Sequence, residues 1–369
     1  MKTMKKIGIA LLMLVLCFSV AFSVKRYKKK KLHHGLSKFF KKVEFADTTT
    51  LLLGVKEVNI RGVVNPYNPS IIKSGDNNYL MAFRYDIPIE NRTKEMPLFT
   101  TKLGVVELDD NFEQTEKDHV IIYTGSQYSE DPRLFVFKGD YYLIYNDRIT
   151  PVGMKEYRTM HLAQIDRETF QPKWIKNLDQ QIKPVEKNWV PIVHKDELGE
   201  EKFFLGYSIN PHKILGMDQM KEFTELHHYI FANSPSFYDI SWWKWGEPRG
   251  GTPPQKVNDE YLAFFHSFFK DLKNDIKYWY VMGAYTFEAK EPFRLTSLSK
   301  TPFLFTNIYS TPVTSKTVDP IKRVIYPSGY VQGVYKGRDV FFVSVGENDC
   351  AVKILIIDKE KLLKTLKKV

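Results

Sequence analysis

The sequence predicts an all-β fold, a five-bladed β-propeller behind an N-terminal hydrophobic segment, and three observations predict it. Aromatic residues make up 14% of the 369-residue chain, a composition that suits pleated, half-buried strands. A Pro-marked strand start, a Gly/Asp/Asn turn and an aromatic strand recur in that order along the body. Helical periodicity is scarce beyond the N-terminal run, confined to Met217 to Glu225 and Lys359 to Lys368.

The first copy of the repeat runs from Asn68-Pro69-Ser70 through the turn Ser74 to Asn78 into Tyr79 to Phe83, and ends on Arg84-Tyr85-Asp86. The second runs from Glu130-Asp131-Pro132-Arg133 through Lys138-Gly139-Asp140 into Tyr141 to Tyr145, then Asn146-Asp147-Arg148. The third starts at Lys187-Asn188-Trp189-Val190-Pro191 and ends at Asn210-Pro211-His212. The fourth starts at Arg249-Gly250-Gly251-Thr252-Pro253-Pro254 and ends at His266. The fifth starts at Tyr326-Pro327-Ser328-Gly329 and ends at Gly346-Glu347-Asn348-Asp349. The marker prolines stand 63, 59, 62 and 74 residues apart, enough in each copy for the strands of a propeller blade. Outer strands are expected at Leu103 to Leu108, Met160 to Ile165 and Tyr280 to Phe287. Two stacked β-sandwich domains are the competing architecture, but no Pro/Gly/Ser-rich linker divides the body.

The formal net charge of +11 is unevenly placed. Twelve Lys/Arg and no Asp or Glu lie in residues 1–42, which leaves the remainder at −1. A near-neutral body argues against nucleic acid as a partner. Ile7 to Val24 is apolar or small throughout and follows Lys2, Lys5 and Lys6. It reads as a single-pass anchor through residues 7–24, or as a signal peptide cleaved after Ala21-Phe22-Ser23 with secretion of the body. The Lys25 to Lys31 cluster would hold the body of an anchored form on the cytoplasmic side. The two cysteines, Cys17 and Cys350, give the body no internal disulfide. The expected organisation is therefore a hydrophobic segment at 1–24, a basic juxtamembrane stem at 25–58, the propeller at 59–358 and a basic helix at 359–369.

In a propeller the inner strands converge, so polar residues at equivalent places in each blade face one another. The strand ends supply Arg84, Asp86, Asp147, Arg148, His212, His266, Glu347 and Asp349; the strand starts add Asp131, Arg133, Lys187 and Arg249. This mix of carboxylates and cations suits a polyhydroxylated ligand that carries, or reacts with, an anion. Each has a plainer reading. Arg84 and Asp86 could form a buried ion pair, and His212 and His266 could be core histidines. Gly250 and Gly251 could form only a tight turn, or bring backbone close to a ligand. Trp242, Trp243 and Trp245 read as packing or as a sugar-stacking platform. No Gly-rich phosphate loop, zinc-spaced Cys/His cluster, Gly-x-Ser-x-Gly elbow or Asp-x-Asp is present, so neither metal nor resident cofactor is expected.

The ordered set Glu130-Asp131-Pro132-Arg133, Gly250-Gly251-Thr252-Pro253-Pro254, Tyr326-Pro327-Ser328-Gly329 and Gly346-Glu347-Asn348-Asp349 resembles glycoside hydrolase family 130 over about residues 60–357. That family comprises five-bladed propellers, mostly inverting β-mannoside phosphorylases, with related β-1,2-mannosyltransferases. The resemblance implies that Asp131 is the general acid/base. It implies inorganic phosphate or a sugar 1-phosphate as co-substrate, and a mannose-containing oligosaccharide or glycan as partner. By position, Arg148, Lys187, His212 and His266 would hold phosphate. Arg84, Asp86, Glu130, Arg133, Gly250, Gly251, Glu347 and Asp349 would meet the sugar. Where the family usually has Gly-Ala-Ala-Asp, this chain has Gly346-Glu347-Asn348-Asp349, which adds a carboxylate. Two other functions remain open: a non-catalytic glycan-binding propeller, and an inverting hydrolase with Glu347 as the base.

Overall fold

The computed structural model describes residues 50–90, 99–150, 154–178, 183–217, 229–231, 236–271, 276–305, 308–311 and 322–369. The apolar run at 7–24, most of the basic stem and the helical stretch expected after Met217 lie outside these residues. Among the described residues no helix is long and apolar enough to cross a membrane.

The chain opens with β1 (Leu52–Val58), then lays down one sheet after another. The first is β2 (Tyr67–Lys73), β3 (Tyr79–Pro88), β4 (Phe99–Leu108) and β5 (Val120–Ile122). The second is β6 (Glu130–Phe137), β7 (Asp140–Arg148), β8 (Arg158–Ile165) and β9 (Pro172–Asn177). The third is β10 (Val190–Lys195), β11 (Glu201–Ser208), β12 (Lys213–Met217) and β13 (Tyr229–Phe231). A larger sheet combines β14 (Pro248–Gly250), β15 (Gln255–Val257), β16 (Glu260–Lys270), β17 (Tyr278–Glu288), β18 (Leu295–Ser299) and β19 (Lys322–Arg323). The last sheet contains β20 (Ile325–Tyr335), β21 (Arg338–Glu347) and β22 (Ala351–Asp358), and β1 returns to pair with β22. Helix α1 (Lys359–Thr365) and β23 (Leu366–Lys368) close the chain, with β23 adding to β18 as the seventh strand of the large sheet.

The architecture is an all-β propeller, with three corrections. The sequence predicts five blades; only four sheets are regular four-stranded blades, and the remaining sheet is seven-stranded. That sheet is enlarged because its inner strand is split into β14 and β15, both pairing with β16, and because β19 and β23 join its outer strands. The boundary at residue 58 also moves. Leu52 to Val58 was assigned to the stem, but Val55 pairs with Leu355 and Val58 with Val352, so the propeller is closed by strands from both ends of the chain. The C-terminal helix is shorter than the expected Lys359 to Lys368. Asp358 caps it by accepting from Lys361 N, and its chain turns into β23 after Thr365.

Aromatic side chains fill the seams between sheets. Phe135 stacks on Phe203 at 5.3 Å across the second and third sheets, and Phe112 meets Phe342 at 5.0 Å between the first and the last. Each fully buried ring of this kind contributes about 2–3 kcal/mol by removing apolar surface from water. Trp242, Trp243 and Trp245 belong to this packing. Trp243 is buried against Phe265 and Trp245 and donates to Ser267 Oγ at 3.0 Å. Trp242 lies beneath Lys367 Nζ at 3.8 Å.

The marker prolines have a local consequence that positions the site. Proline offers no N–H to a ladder, so it sits at strand starts and bulges. Pairing slips between Tyr67 and Ser70, between Glu130 and Arg133, and between Pro327 and Gly329. Asn68 (φ 48°) and Asp131 (φ 57°), each just before its proline, are left-handed. These bulges turn the preceding side chains out of the strand's alternation and towards one another.

Candidate active site

The residues just before three marker prolines, Asn68, Asp131 and Tyr326, meet at one carboxylate. Asp131 Oδ1 accepts from Asn68 Nδ2 at 2.8 Å and from Arg84 Nη1 at 3.2 Å. Asp131 Oδ2 accepts from Tyr326 Oη at 3.3 Å. Tyr326 Oη also lies 2.7 Å from Asn188 Oδ1, so a fourth sheet is tied in through the loop before β10. Three sheet starts and one loop thus fix the two oxygens of one side chain.

Glu130 lies beside it as the hub of an ion cluster. Its Oε1 accepts from Arg84 Nη2 at 3.1 Å and Arg158 Nη2 at 2.8 Å, and its Oε2 from Lys187 Nζ at 2.9 Å. Burial would raise both acidic pKa values. The charges of Arg84, Lys187 and Arg133, with the Asn68 hydrogen bond, outweigh it and hold Asp131 well below the carboxylate range. Arg84, Lys187 and Arg158 likewise outweigh burial at Glu130 and lower it. Asp86 goes the other way: burial raises it despite Arg84 and bonds from Tyr67 Oη at 2.8 Å and Thr101 Oγ1 at 3.1 Å. Arg84 and Asp86 are 3.9 Å apart, and the Arg84 guanidinium covers the Tyr67 ring at 4.7 Å.

A fourth acid, Asp349, has a lysine of its own. Asp349 Oδ2 accepts from Lys322 Nζ at 2.6 Å, and Lys322 Nζ lies 5.1 Å from the Tyr280 ring centre. Burial raises the Tyr280 hydroxyl, and the charges of Lys322, Asp349, Arg249 and Asp131 all act on it. Lys187, Lys322 and Arg249 keep 31%, 28% and 43% of their side-chain surface exposed. Lys187 and Lys322 are paired with Glu130 and Asp349 yet stay partly exposed, whereas Arg249 pairs with Glu247 at 3.5 Å.

The structure thus brings together Arg84, Asp86, Glu130, Asp131, Lys187 and Asp349. Others expected here serve elsewhere. Arg133 is fully buried and donates to Gly251 O at 2.6 Å, Gly250 O at 3.1 Å, Asp131 O at 3.1 Å and Tyr326 Oη at 3.0 Å. It is a strut beneath the site, with its donors spent on protein. Gly250 and Gly251 are needed for backbone packing. A Cβ on Gly250 would lie 2.3 Å from Asn188 O, and one on Gly251 would lie 2.6 Å from Phe264 O.

Arg148 turns its guanidinium to Thr150 O at 2.9 Å and Met154 O at 3.2 Å, bracing its own loop. His212 is a core histidine between Tyr285 and Phe287, its pKa lowered to about 4 by burial. His266 lies under Tyr326 at 4.4 Å, and burial lowers it to about 3 with help from Arg133 and Arg249. A neutral buried imidazole is no anchor for an anion. Glu347 has no exposed surface; it accepts from Lys353 Nζ at 2.6 Å, Ser310 N at 2.8 Å and Thr311 N at 3.3 Å, and from Thr311 Oγ1. Full burial and these four donors count against the hydrolase reading that gave it the role of base.

Sequence reasoning missed Asn68, Asn188, Arg158, Tyr280, Lys322 and Tyr326. A signal existed for two of them: Asn68-Pro69 and Tyr326-Pro327 occupy the slot of Asp131-Pro132. At the other end of the inner strands lies an axial cavity of about 450 Å³, lined by Ile71, Leu134, Pro191, Pro254 and Val331 among others, and it contains no acid.

No protein-family model and no curated protein matches the chain in sequence. Solved structures do match in fold, among them members of glycoside hydrolase family 130. A β-1,2-mannobiose phosphorylase from Listeria innocua superposes with a TM-score of 0.53 at 13% identity, covering 85% of this chain and 93% of that one. A GDP-Man-dependent mannosyltransferase from Leishmania mexicana gives 0.52 at 11%, covering 87% and 92%. A mannose phosphorylase from the same organism gives 0.51 at 12%, covering 92% and 96%. At these identities the likeness shows the fold.

Proposed function

We propose that this chain makes or phosphorolyses β-mannosidic linkages with inversion, with Asp131 as general acid/base and phosphate or a sugar 1-phosphate as co-substrate. The observation that carries the reading is the convergence of Asn68, Arg84 and Tyr326 on the Asp131 carboxylate beside reachable cations. In phosphorolysis the glycosidic C1–O bond breaks while a phosphate oxygen bonds C1 from the opposite face. The proton supplied from Asp131 ends on the leaving oxygen. In synthesis the acceptor oxygen bonds C1 as its proton passes towards Asp131, and the C1–O bond to phosphate breaks. The surrounding cations favour the ionised form of Asp131, the state that synthesis needs. A phosphate dianion beside Lys187 would offset the positive potential and raise Asp131 towards the protonated state that cleavage needs.

Lys187, Lys322 and Arg249 are the phosphate holders in this proposal, in place of Arg148, His212 and His266. Asp86 and Asp349 take sugar hydroxyls. The test uses the full chain with mannose 1-phosphate and a panel of mannose-containing acceptors, following phosphate release. Acceptor-dependent release that disappears in Asp131→Asn is expected. Sugar binding without turnover, indifferent to Asp131→Asn, would point to a binding module. Turnover from GDP-mannose alone would move the donor to a nucleotide sugar.

A further inference from the structure

Two segments separated in sequence, residues 308–311 and 322–324, are held to the same turn, Gly346 to Asp349. Glu347 takes the first by accepting from both Ser310 N and Thr311 N. Asn348 bridges the two, with Nδ2 donating to Thr311 O at 3.1 Å while Oδ1 accepts from Val324 N at 3.1 Å and its own N donates to Val324 O at 2.9 Å. Asp349 takes the second through Lys322. Asn348 (φ 52°) and Asp349 (φ 53°) are consecutive left-handed residues, so the turn presents three successive side chains to three targets. Lys353 closes it from β22, with Nζ 2.6 Å from Glu347 Oε2 and 3.4 Å from Ser310 Oγ. Glu347 and Asn348 have no exposed surface.

We infer that Glu347, with Asn348 and Lys353, is a positioning clamp that sets Lys322 and Asp349 in the pocket, so that anion affinity at Lys322 depends on a carboxylate that touches no substrate. The two-residue β19 is held to β17 by only a short parallel pairing, Tyr278 with Lys322 and Trp279 with Arg323. A long lysine side chain on so short a strand needs its backbone fixed from elsewhere, since a site is only as well ordered as the groups behind it. The buried Glu347–Lys353 pair supplies that fixity through Thr311 and Asn348. Lysine at 353 is also accounted for, because a lone buried carboxylate would be costly. The inference rests on the reading that Lys322 meets substrate.

The experiment is a double-mutant cycle on the full-length protein, with binding of inorganic phosphate and of mannose 1-phosphate read by calorimetry. Lys322→Met and Glu347→Gln are each expected to weaken binding about tenfold, the scale at which supporting groups act on a site. Combining them should add less than twofold, because both remove the same contact. Binding within twofold of wild type in Glu347→Gln, or losses that multiply towards a hundredfold, would overturn the clamp. Acetylation footprinting by mass spectrometry needs no ligand: Lys322 should gain labelling severalfold in Glu347→Gln while Lys187 does not. If the wild type binds neither ligand, the functional reading fails by itself, and the footprint still decides the clamp. Should Glu347→Gln not fold, Thr311→Val removes one bond to Glu347. It should raise Lys322 labelling in the same direction; unchanged labelling there would count against the proposal.

Discussion

Asp131 and Glu347 are both buried carboxylates beside cationic side chains, one at the start of an inner strand and the other at the end of β21. Their partners differ in kind. Asp131 is bonded by side chains from two other sheets, Asn68 and Arg84 of the first and Tyr326 of the last, and the nearby Lys187 stays partly exposed. Glu347 is bonded largely by backbone amides of one segment and a lysine that is itself buried. Side-chain donors gathered from two other blades leave room for a ligand to join or replace one of them. Backbone amides of a single loop do not, and a carboxylate saturated by them serves as architecture.

That contrast is sharpest in turnover. Asp131→Asn should lower kcat by about 10²–10⁴ with the fold retained, read by steady-state rates alongside thermal melting. Wild-type turnover in that variant would make the two carboxylates equivalent and remove the distinction. The next largest effect is on stability beneath the site. Arg133→Met removes the donors serving the Gly250 and Gly251 carbonyls and should cost about 3–5 kcal/mol, read by urea denaturation. A loss below 1 kcal/mol would mean that Arg133 is free for substrate.

The histidines give a pH test of the same division between site and core. His212 and His266 stay neutral in the folded protein down to about 4 and about 3, against 6.5 for an ordinary histidine. Below pH 6.5 the unfolded chain takes up protons that the folded chain refuses. The stability they confer is therefore complete above pH 6.5 and falls towards those lower values. The slope is about 1.4 kcal/mol per pH unit for each histidine. Thermal melts from pH 7 to 4.5 should steepen accordingly, and His212→Phe should lose one histidine's share; an unchanged slope would show that His212 is protonated in the fold. The smallest effect separates two cations that the sequence grouped together. Lys187→Met should raise KM for the phosphate-bearing substrate about tenfold, whereas Arg148→Ala should stay within twofold. Equal effects would return Arg148 to the site.

Much of the fold was legible because its signals are local. The marker prolines announced the inner-strand starts and bulges, and Tyr141 to Tyr145 or Tyr261 to Phe265 announced the second strands of their sheets. The large sheet was not legible, since β19 and β23 contribute only two and three residues from distant parts of the chain. Nor was β1, whose partner β22 lies at the opposite end of the sequence. In the site, Glu130, Asp131, Arg84 and Asp86 could be named from their places in the repeat. Arg148, His212, His266 and Glu347 occupy equivalent places, yet their side chains turn to loop carbonyls, aromatic rings and backbone amides.

The sequence by itself determined the repeat, the bulge positions and the acid pair. Alternating side chains, a proline without an N–H and a turn that tolerates positive φ are properties of a few consecutive residues. Only the tertiary structure decided which charged residues face the opening and which are consumed beneath it. Burial and hydrogen-bond saturation depend on what neighbouring blades bring within 3 Å, and no single stretch of the chain contains that information.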